Sequence, residues 1–398
     1  MMKHKIFFTF SNGKNLPLIS LLCIVCSAGL FAQNTKKYYF PARGEVWQSK
    51  KLSDYKLDET KIKEAITFAE THEYKGSKDL RQAILQGFEQ EPYHQILGPT
   101  RKRGGPAGMI LKDGFVIAQW GDIKRVDMTF SVTKSFLSTI AGLALEEGLI
   151  RSVQDKVEEY VWDGTFESPH NAKITWEHLL QQSSDWSGQL WGGDDWADRP
   201  PREGNLDDWK NRKLHEPGTV FEYNDIRVNL LAYSLLQVYR KPLPQIIKEK
   251  VMDPIGASSG WRWYGYDNSW VNMDGVHTQS VSGGGHSGGG LFISAEDMAR
   301  FGLLFLNKGK WKDQTIISEK WIQEATKPST PNPNYGYMWW LNQPGKQQWE
   351  NVPESVYYAA GFGGNYIVID PIHDLVLVTR WLEPDQIETM IKMVLEAW

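Results

Sequence analysis

The 398-residue chain has only two cysteines, and both, Cys23 and Cys26, fall within its first 32 residues. A chain without that leader has no cysteine, which excludes disulfides, thiolate metal sites and a cysteine nucleophile together. A basic excess is missing too. Lys and Arg number 44 against 48 Asp and Glu, and without Lys3, Lys5 and Lys14 of the leader the balance is 41 against 48, a net of −7. Nucleic acid is therefore a poor partner. Histidine is sparse, and none of the nine, His170, His178 and His286 included, falls at a recognisable ligand spacing. No metal and no cofactor is expected. Internal repeats and low-complexity stretches are absent, and past the leader no apolar run approaches the length that spans a bilayer.

The leader itself joins those three lysines to the apolar run LPLISLLCIVCSAGLFA, ending on the small residue Ala32. This is the pattern of a secretory signal peptide over residues 1–32, and it predicts a periplasmic or secreted protein with no stable membrane insertion after cleavage. A lipoprotein cleavage site fits less well, because the large residues Leu22 and Val25 precede the two cysteines.

Residues 33–398 suit one large domain with a substantial core. KLDETKIKEAITFAETHEY has the period of an amphipathic helix, and MILKDGFVIAQWG that of two strands joined by a Lys-Asp-Gly turn. At the far end NYIVIDPIHDLVLVTRW predicts a second hairpin, and DQIETMIKMVLEAW a last helix. Both chain ends thus make hairpins flanked by helices. The expected fold is α+β: one antiparallel sheet built from both ends and covered by the terminal helices, with residues from about 130 to about 290 inserted as a mostly helical region. A cleft would lie between sheet and insertion. Trp186, Trp191 and Trp196 suit either its wall or a packed helical region.

At the start of that insertion stands Ser131-Val132-Thr133-Lys134, opening SVTKSFLSTIAGLALEEGL, where Phe136, Ile140, Leu143 and Leu145 supply a buried face and Gly148 a stop. Side chains three apart share a helix face, so the Lys134 amine can act on the Ser131 hydroxyl. The N–H of a first-turn serine also lies at the positive helix end, which suits an oxyanion. Taken alone, the tetrapeptide equally describes a serine cap followed by an exposed lysine, and Ser-x-x-Lys recurs at Ser11/Lys14 and Ser53/Lys56. Only the copy at Ser131 begins an apolar helix.

Two further segments supply what a serine and lysine lack. Tyr223, in PGTVFEYNDIRVNLLAYSLL, sits in a turn entering an apolar helix from about Val228 and is a candidate proton relay, or else a tyrosine packed under a helix start. AAGFGGNYIVID, residues 359–370, brings three glycines to the first strand of the C-terminal hairpin. Backbone N–H groups there could complete an oxyanion hole with that of Ser131, or the glycines could simply form a tight turn.

The three segments in this order resemble the β-lactamase-like serine hydrolases, the superfamily of penicillin-binding proteins, class C β-lactamases, family VIII carboxylesterases and aminohexanoate-oligomer hydrolases. The resemblance extends through ITWEHLLQQSSDW (174–186), SGGGHSGGGLFISAEDMARFGLLFLNKGKW (282–311) and YGYMWW (335–340). It implies that Ser131 is acylated, that Lys134 helps deprotonate it, that Tyr223 is the general acid/base, and that the backbone N–H groups of Ser131 and Phe362 form the oxyanion hole. Gly361 and Asp225 are implied as substrate-binding positions. The sequence departs from the superfamily pattern twice. Tyr223-Asn224-Asp225 has a carboxylate where an amide is common, and Tyr358-Ala359-Ala360-Gly361 lacks the usual cation. Both changes disfavour an anionic substrate. The expected activity is hydrolysis of a small-molecule ester or amide. The alternatives are a β-lactamase or DD-peptidase and, in another class, an inert carbohydrate- or cell-wall-binding protein.

Gly285-His286-Ser287-Gly288-Gly289 matches the GxSxG nucleophile elbow of α/β-hydrolases, which requires a strand before and a helix immediately after. Upstream lies a polar glycine-rich loop, and the next helix starts only after the capping serine Ser294. Its partners would have to be Asp370 and His373, both in one hairpin.

Overall fold

The computed structural model describes residues 38–346 and 348–398, so the expected leader lies outside the described residues. Helix α1 (Glu59–Thr71) is capped by Asp58, whose carboxylate accepts from Thr60 and Lys61 N–H, and it buries Ile62, Ala65 and Ala69 at helical spacing. The hairpin β1 (Ala107–Lys112) and β2 (Phe115–Trp120) follows. Asp113 and Gly114 join its strands with φ of 52° and 83°, the left-handed pair that a tight hairpin turn demands. A two-residue strand, β3 (Asp127–Met128), leads through a 3-10 turn at Phe130–Val132 into α2 (Thr133–Glu146). Every residue of α2 from Thr133 to Ala144 is buried, so it runs through the core and not along its surface.

The inserted region continues with α3 (Asp225–Tyr239), then the antiparallel strands β4 (Arg262–Met273), β5 (Val276–Val281) and β6 (Gly290–Ile293). These strands assemble with β3 into a four-stranded sheet in the order β3-β6-β4-β5. The insertion is therefore helical in its first part and adds a second sheet in its last. Helix α4 (Ala295–Leu306) begins where the sequence signals it, with Ser294 Oγ accepting from Asp297 N–H.

The C-terminal strands are β7 (Trp340–Leu341), β8 (Tyr357–Gly361), β9 (Asn365–Asp370) and β10 (Leu375–Arg380), ahead of α5 (Ile387–Leu395). They join the N-terminal hairpin in one antiparallel sheet of order β7-β8-β9-β10-β1-β2, the two chain ends meeting where Ala107 opposes Arg380 and Lys112 opposes Leu375. The sheet is covered on both faces. Leu375 and Leu377 pack with Ile62, Met390, Ile391 and Val394 of the terminal helices, while Val376 and Val378 pack with Phe301 and Leu304 of α4. Among the described residues no helix is long and apolar enough to cross a membrane.

Candidate active site

Ser131 stands where a strand, a strained turn and a helix meet. Phe130, just before it, is buried with φ of 50°, a left-handed conformation that a bulky residue holds only when its surroundings impose it. Those surroundings are aromatic, with Phe362 at 5.1 Å and Trp381 at 6.4 Å between ring centroids. Thr129 N–H is tied to Leu291 O at 2.9 Å, which anchors the turn to β6. Ser131 lies in that 3-10 turn, and α2 itself starts at Thr133.

One helical turn on, Lys134 is 1% exposed and its Nζ donates to Ser131 Oγ at 2.8 Å. It also pairs with Asp225 Oδ1 at 2.5 Å. Burial works against the lysine's charge, but the Asp225 carboxylate and Tyr223 outweigh it and raise its pKa above the ordinary lysine value. Lys134 is thus an ammonium at rest. Asp225, likewise buried, would be raised by burial, yet Lys134 and Arg199 hold it far below the usual carboxylate range. Gly284 makes room for the pair, since a Cβ there would sit 1.9 Å from Asp225 Oδ1 and 2.5 Å from Lys134 Nζ.

Tyr223 precedes α3, which opens at Asp225, three residues earlier than the apolar pattern suggests, with Asn224 as its cap. The cap is fixed from both sides, Asn224 N–H donating to Gln182 Oε1 at 2.9 Å and its side chain to Asp195 O at 2.8 Å. The Tyr223 ring receives Lys134 Nζ at 4.7 Å and lies nearly parallel to Trp340, 5.8 Å away at 22°. Gly361, at the end of β8, crosses the turn that holds Ser131 closely. A Cβ at this position would meet Thr129 O at 2.2 Å and Ser131 N at 3.3 Å. Gly363 and Gly364, each with φ of 76°, then turn the chain into β9. Phe362, between them and Gly361, packs its ring on Tyr74 and Phe88.

Ser131, Tyr223, Asp225, Gly361 and Phe362 all line one cavity of about 510 Å³. Its remaining wall is largely aromatic, with Tyr74, Phe88, Trp340, Trp349, Tyr358 and Tyr366. Of the two places expected for Trp186, Trp191 and Trp196, the cavity wall holds none of them. Trp186 is in the core with its Nε1 on Thr165 O, while Trp191 and Trp196 pack edge-on against other tyrosines.

Four ionisable groups here, Glu91, Asp198, Arg199 and His286, have no site role in the sequence reading. Arg199 lines the cavity, its Nη2 2.7 Å from Asp225 Oδ2 and its Nη1 2.5 Å from Asp198 Oδ1. His286 also lines it, with Nδ1 3.2 Å from Arg199 Nη2 and Nε2 2.5 Å from Glu91 Oε2. A guanidinium only donates, so Nδ1 accepts and Nε2–H donates to Glu91. His286 thus sits among other ionisable groups that no sequence spacing announces. Glu91, His94 and His286 bring possible metal-binding atoms within 4.8 Å of one another, as do Asp198, Asp225 and His286. In the second set the atoms are already engaged in hydrogen bonds and ion pairs, and in both the Arg199 guanidinium lies against the shared His286, where a cation would be repelled.

Ser287 does not form an elbow. It is followed by β6 instead of a helix, and its carbonyl accepts from Leu97 and Gly98 N–H at 2.8 and 3.0 Å. Asp370 and His373 bond each other at 2.6 Å in the turn after β9, at the opposite end of that strand from the residue paired with Gly361.

A family model described as Beta-lactamase matches residues 124–380. An N-acetylmuramyl-L-alanine amidase of Bacillus subtilis (strain 168) is 30% identical over 112 residues, which span 27% of this chain and only 23% of the amidase. A 6-aminohexanoate-dimer hydrolase of Paenarthrobacter ureafaciens is 24% identical over 286 residues, 65% of this chain and 67% of that protein. Among solved structures, a family VIII carboxylesterase superposes with a TM-score of 0.54 at 17% identity, covering 75% of this chain and 93% of its own. The shared fold is the β-lactamase/transpeptidase-like one that the sequence predicts.

Proposed function

This chain belongs to the beta-lactamase family, and we propose that it is a serine hydrolase that cleaves an uncharged ester or amide through an acyl-enzyme on Ser131, exported by residues 1–32. The observation that carries the reading is the 2.8 Å contact from Lys134 Nζ to Ser131 Oγ in a cavity that Tyr223 and Gly361 also line. In this reading Lys134, an ammonium at rest, hands one of its protons to Tyr223 as it receives that of Ser131, and Tyr223 passes the proton to the leaving oxygen or nitrogen. The Oγ–acyl bond forms as the ester C–O or amide C–N bond breaks, and water then releases the acid by the reverse relay. The backbone N–H groups of Ser131 and Phe362 are assigned to the oxyanion.

An uncharged substrate is favoured by the aromatic wall and by the pairing of the cavity's one arginine with two carboxylates. The test is turnover of a neutral activated ester beside nitrocefin, in the wild type and in Ser131→Ala. Ester hydrolysis lost in Ser131→Ala, with weak or no nitrocefin turnover, is expected. Full ester turnover by Ser131→Ala refutes the mechanism, and efficient nitrocefin turnover refutes the substrate class.

A further inference from the structure

We propose that Arg199 is a positioning residue for acylation: by sharing Asp225 with Lys134, it loosens that carboxylate's grip on the lysine and leaves Lys134 free to exchange protons during turnover. The inference rests on the serine-hydrolase reading above.

The starting point is a conflict of charge. The position that commonly carries an amide in the superfamily carries Asp225 here, buried and 2.5 Å from Lys134 Nζ. A buried carboxylate with one cation as its sole partner would lock that cation in its protonated, immobile form. Asp225 has a second cation. Arg199 Nη2 reaches its other oxygen at 2.7 Å, so the two carboxylate oxygens are divided between the two cations.

The rest of the wall fixes Arg199 in that place. Its backbone takes φ of 50°, a costly conformation for a non-glycine residue. Its N–H donates to Glu91 Oε1 at 3.3 Å, Asp198 holds Nη1, and His286 accepts from Nη2. Asp198 is itself held on α3, its Oδ2 accepting from the N–H groups of Asp225 and Ile226. The side chain lies over Tyr223 at 5.2 Å and Phe88 at 5.4 Å from their ring centres. Three segments distant in sequence, carrying Phe88 and Glu91, Tyr223 and Asp225, and His286, thus converge on Arg199. An arginine placed to grip a substrate anion would keep its donors free, whereas here both terminal nitrogens are spent on carboxylates.

The groups facing this network come from every packed element. Lys134 is faced by Asp225, Tyr223 and Ser131. Asp225 is faced by Lys134, Arg199 and His286, with the hydroxyls of Tyr266 and Tyr335 nearby, both raised in pKa chiefly by burial. Removing the arginine charge strengthens the hold of Asp225 on Lys134, so the alkaline shift it causes has one sign.

The experiment is a double-mutant cycle on the full chain, reading kcat, KM and the pH profile of kcat/KM with a neutral activated ester. Arg199→Gln is expected to move the rising limb up by about 1 pH unit and lower kcat near neutrality by about tenfold, with KM little changed. Arg199→Lys is expected to restore most of the limb's position. In an Asp225→Asn background, Arg199→Gln is expected to leave the limb where it is. An unshifted limb in Arg199→Gln, or a shift of equal size in the Asp225→Asn background, overturns the proposal. So does a loss confined to KM, which would mark a substrate contact instead. If Arg199→Gln does not fold, Arg199→Lys decides alone: a profile unlike the wild type in limb position contradicts a role carried by charge. Absence of any wild-type adduct at Ser131 with a serine-directed reagent would instead defeat the underlying serine-hydrolase reading.

Discussion

The six-stranded sheet and the charged wall of the cleft are stabilised in opposite ways. In the sheet, successive residues of β10 alternate between two apolar clusters, Leu375 and Leu377 to one side and Val376 and Val378 to the other. Each contributes by the area it hides, and the loss of one is felt locally. In the cleft wall, Glu91, Lys134, Arg199, Asp225 and His286 come from separate segments, and each burial is tolerable only because the others are present. Packing in the sheet is graded, whereas the charge network behaves as a unit.

Breaking that unit should give the largest effect. Asp225→Ala strands the buried Lys134 ammonium and takes one carboxylate from the half-buried Arg199, and is expected to cost roughly 3–5 kcal/mol of unfolding free energy together with nearly all ester turnover. Urea titration checks the first and steady-state kinetics the second; a loss below about 1 kcal/mol would mean that the network is not cooperative. Leu377→Ala, at the centre of the sheet, is expected to cost about 2–5 kcal/mol while turnover per folded molecule is unchanged, which separates stability from chemistry.

Acid titration sharpens the contrast further. Asp225 is held below its unfolded value, so its contribution is present above the ordinary carboxylate range and is lost as pH falls through and below it. His94, which burial, His286 and Arg199 push down to about 4, contributes stability that is complete above the ordinary histidine value and lost as pH falls from about 6.5 to about 4. The wild type should therefore lose stability in two stages on acidification. His94→Gln should flatten the first stage and Asp225→Asn the second, as read by urea midpoints at fixed pH. The smallest effect belongs to the surface. Arg240 and Asp274 form an exposed pair, and Asp274→Asn is expected to leave the melting temperature unchanged within error.

The sheet was the more legible of the two regions in the sequence, for the same physical reason. Alternation and turn chemistry are local, so the Asp113-Gly114 turn, the C-terminal hairpin and the Ser294 cap could be placed from neighbouring residues alone. Ser131 and Lys134 were legible because their spacing is also local. Arg199 was not: it sits in the polar stretch DWADRPPREG, where no periodicity assigns a face, and its partner Asp225 is 26 residues away. The Glu91–His286 contact spans 195 residues, and nothing in either segment announces it. The helical face proposed for α2 understated its burial, because α3, β8 and Phe301 of α4 all pack against it, and these partners are distant in sequence.

The central claim is that Ser131 is the residue that becomes acylated. Intact-mass analysis after a fluorophosphonate probe, with peptide mapping, tests it in the wild type, Ser131→Ala and Ser287→Ala. One adduct on the wild type and on Ser287→Ala, absent from Ser131→Ala, is the predicted result. An adduct that survives in Ser131→Ala or vanishes in folded Ser287→Ala, or no adduct on any folded protein, would contradict it.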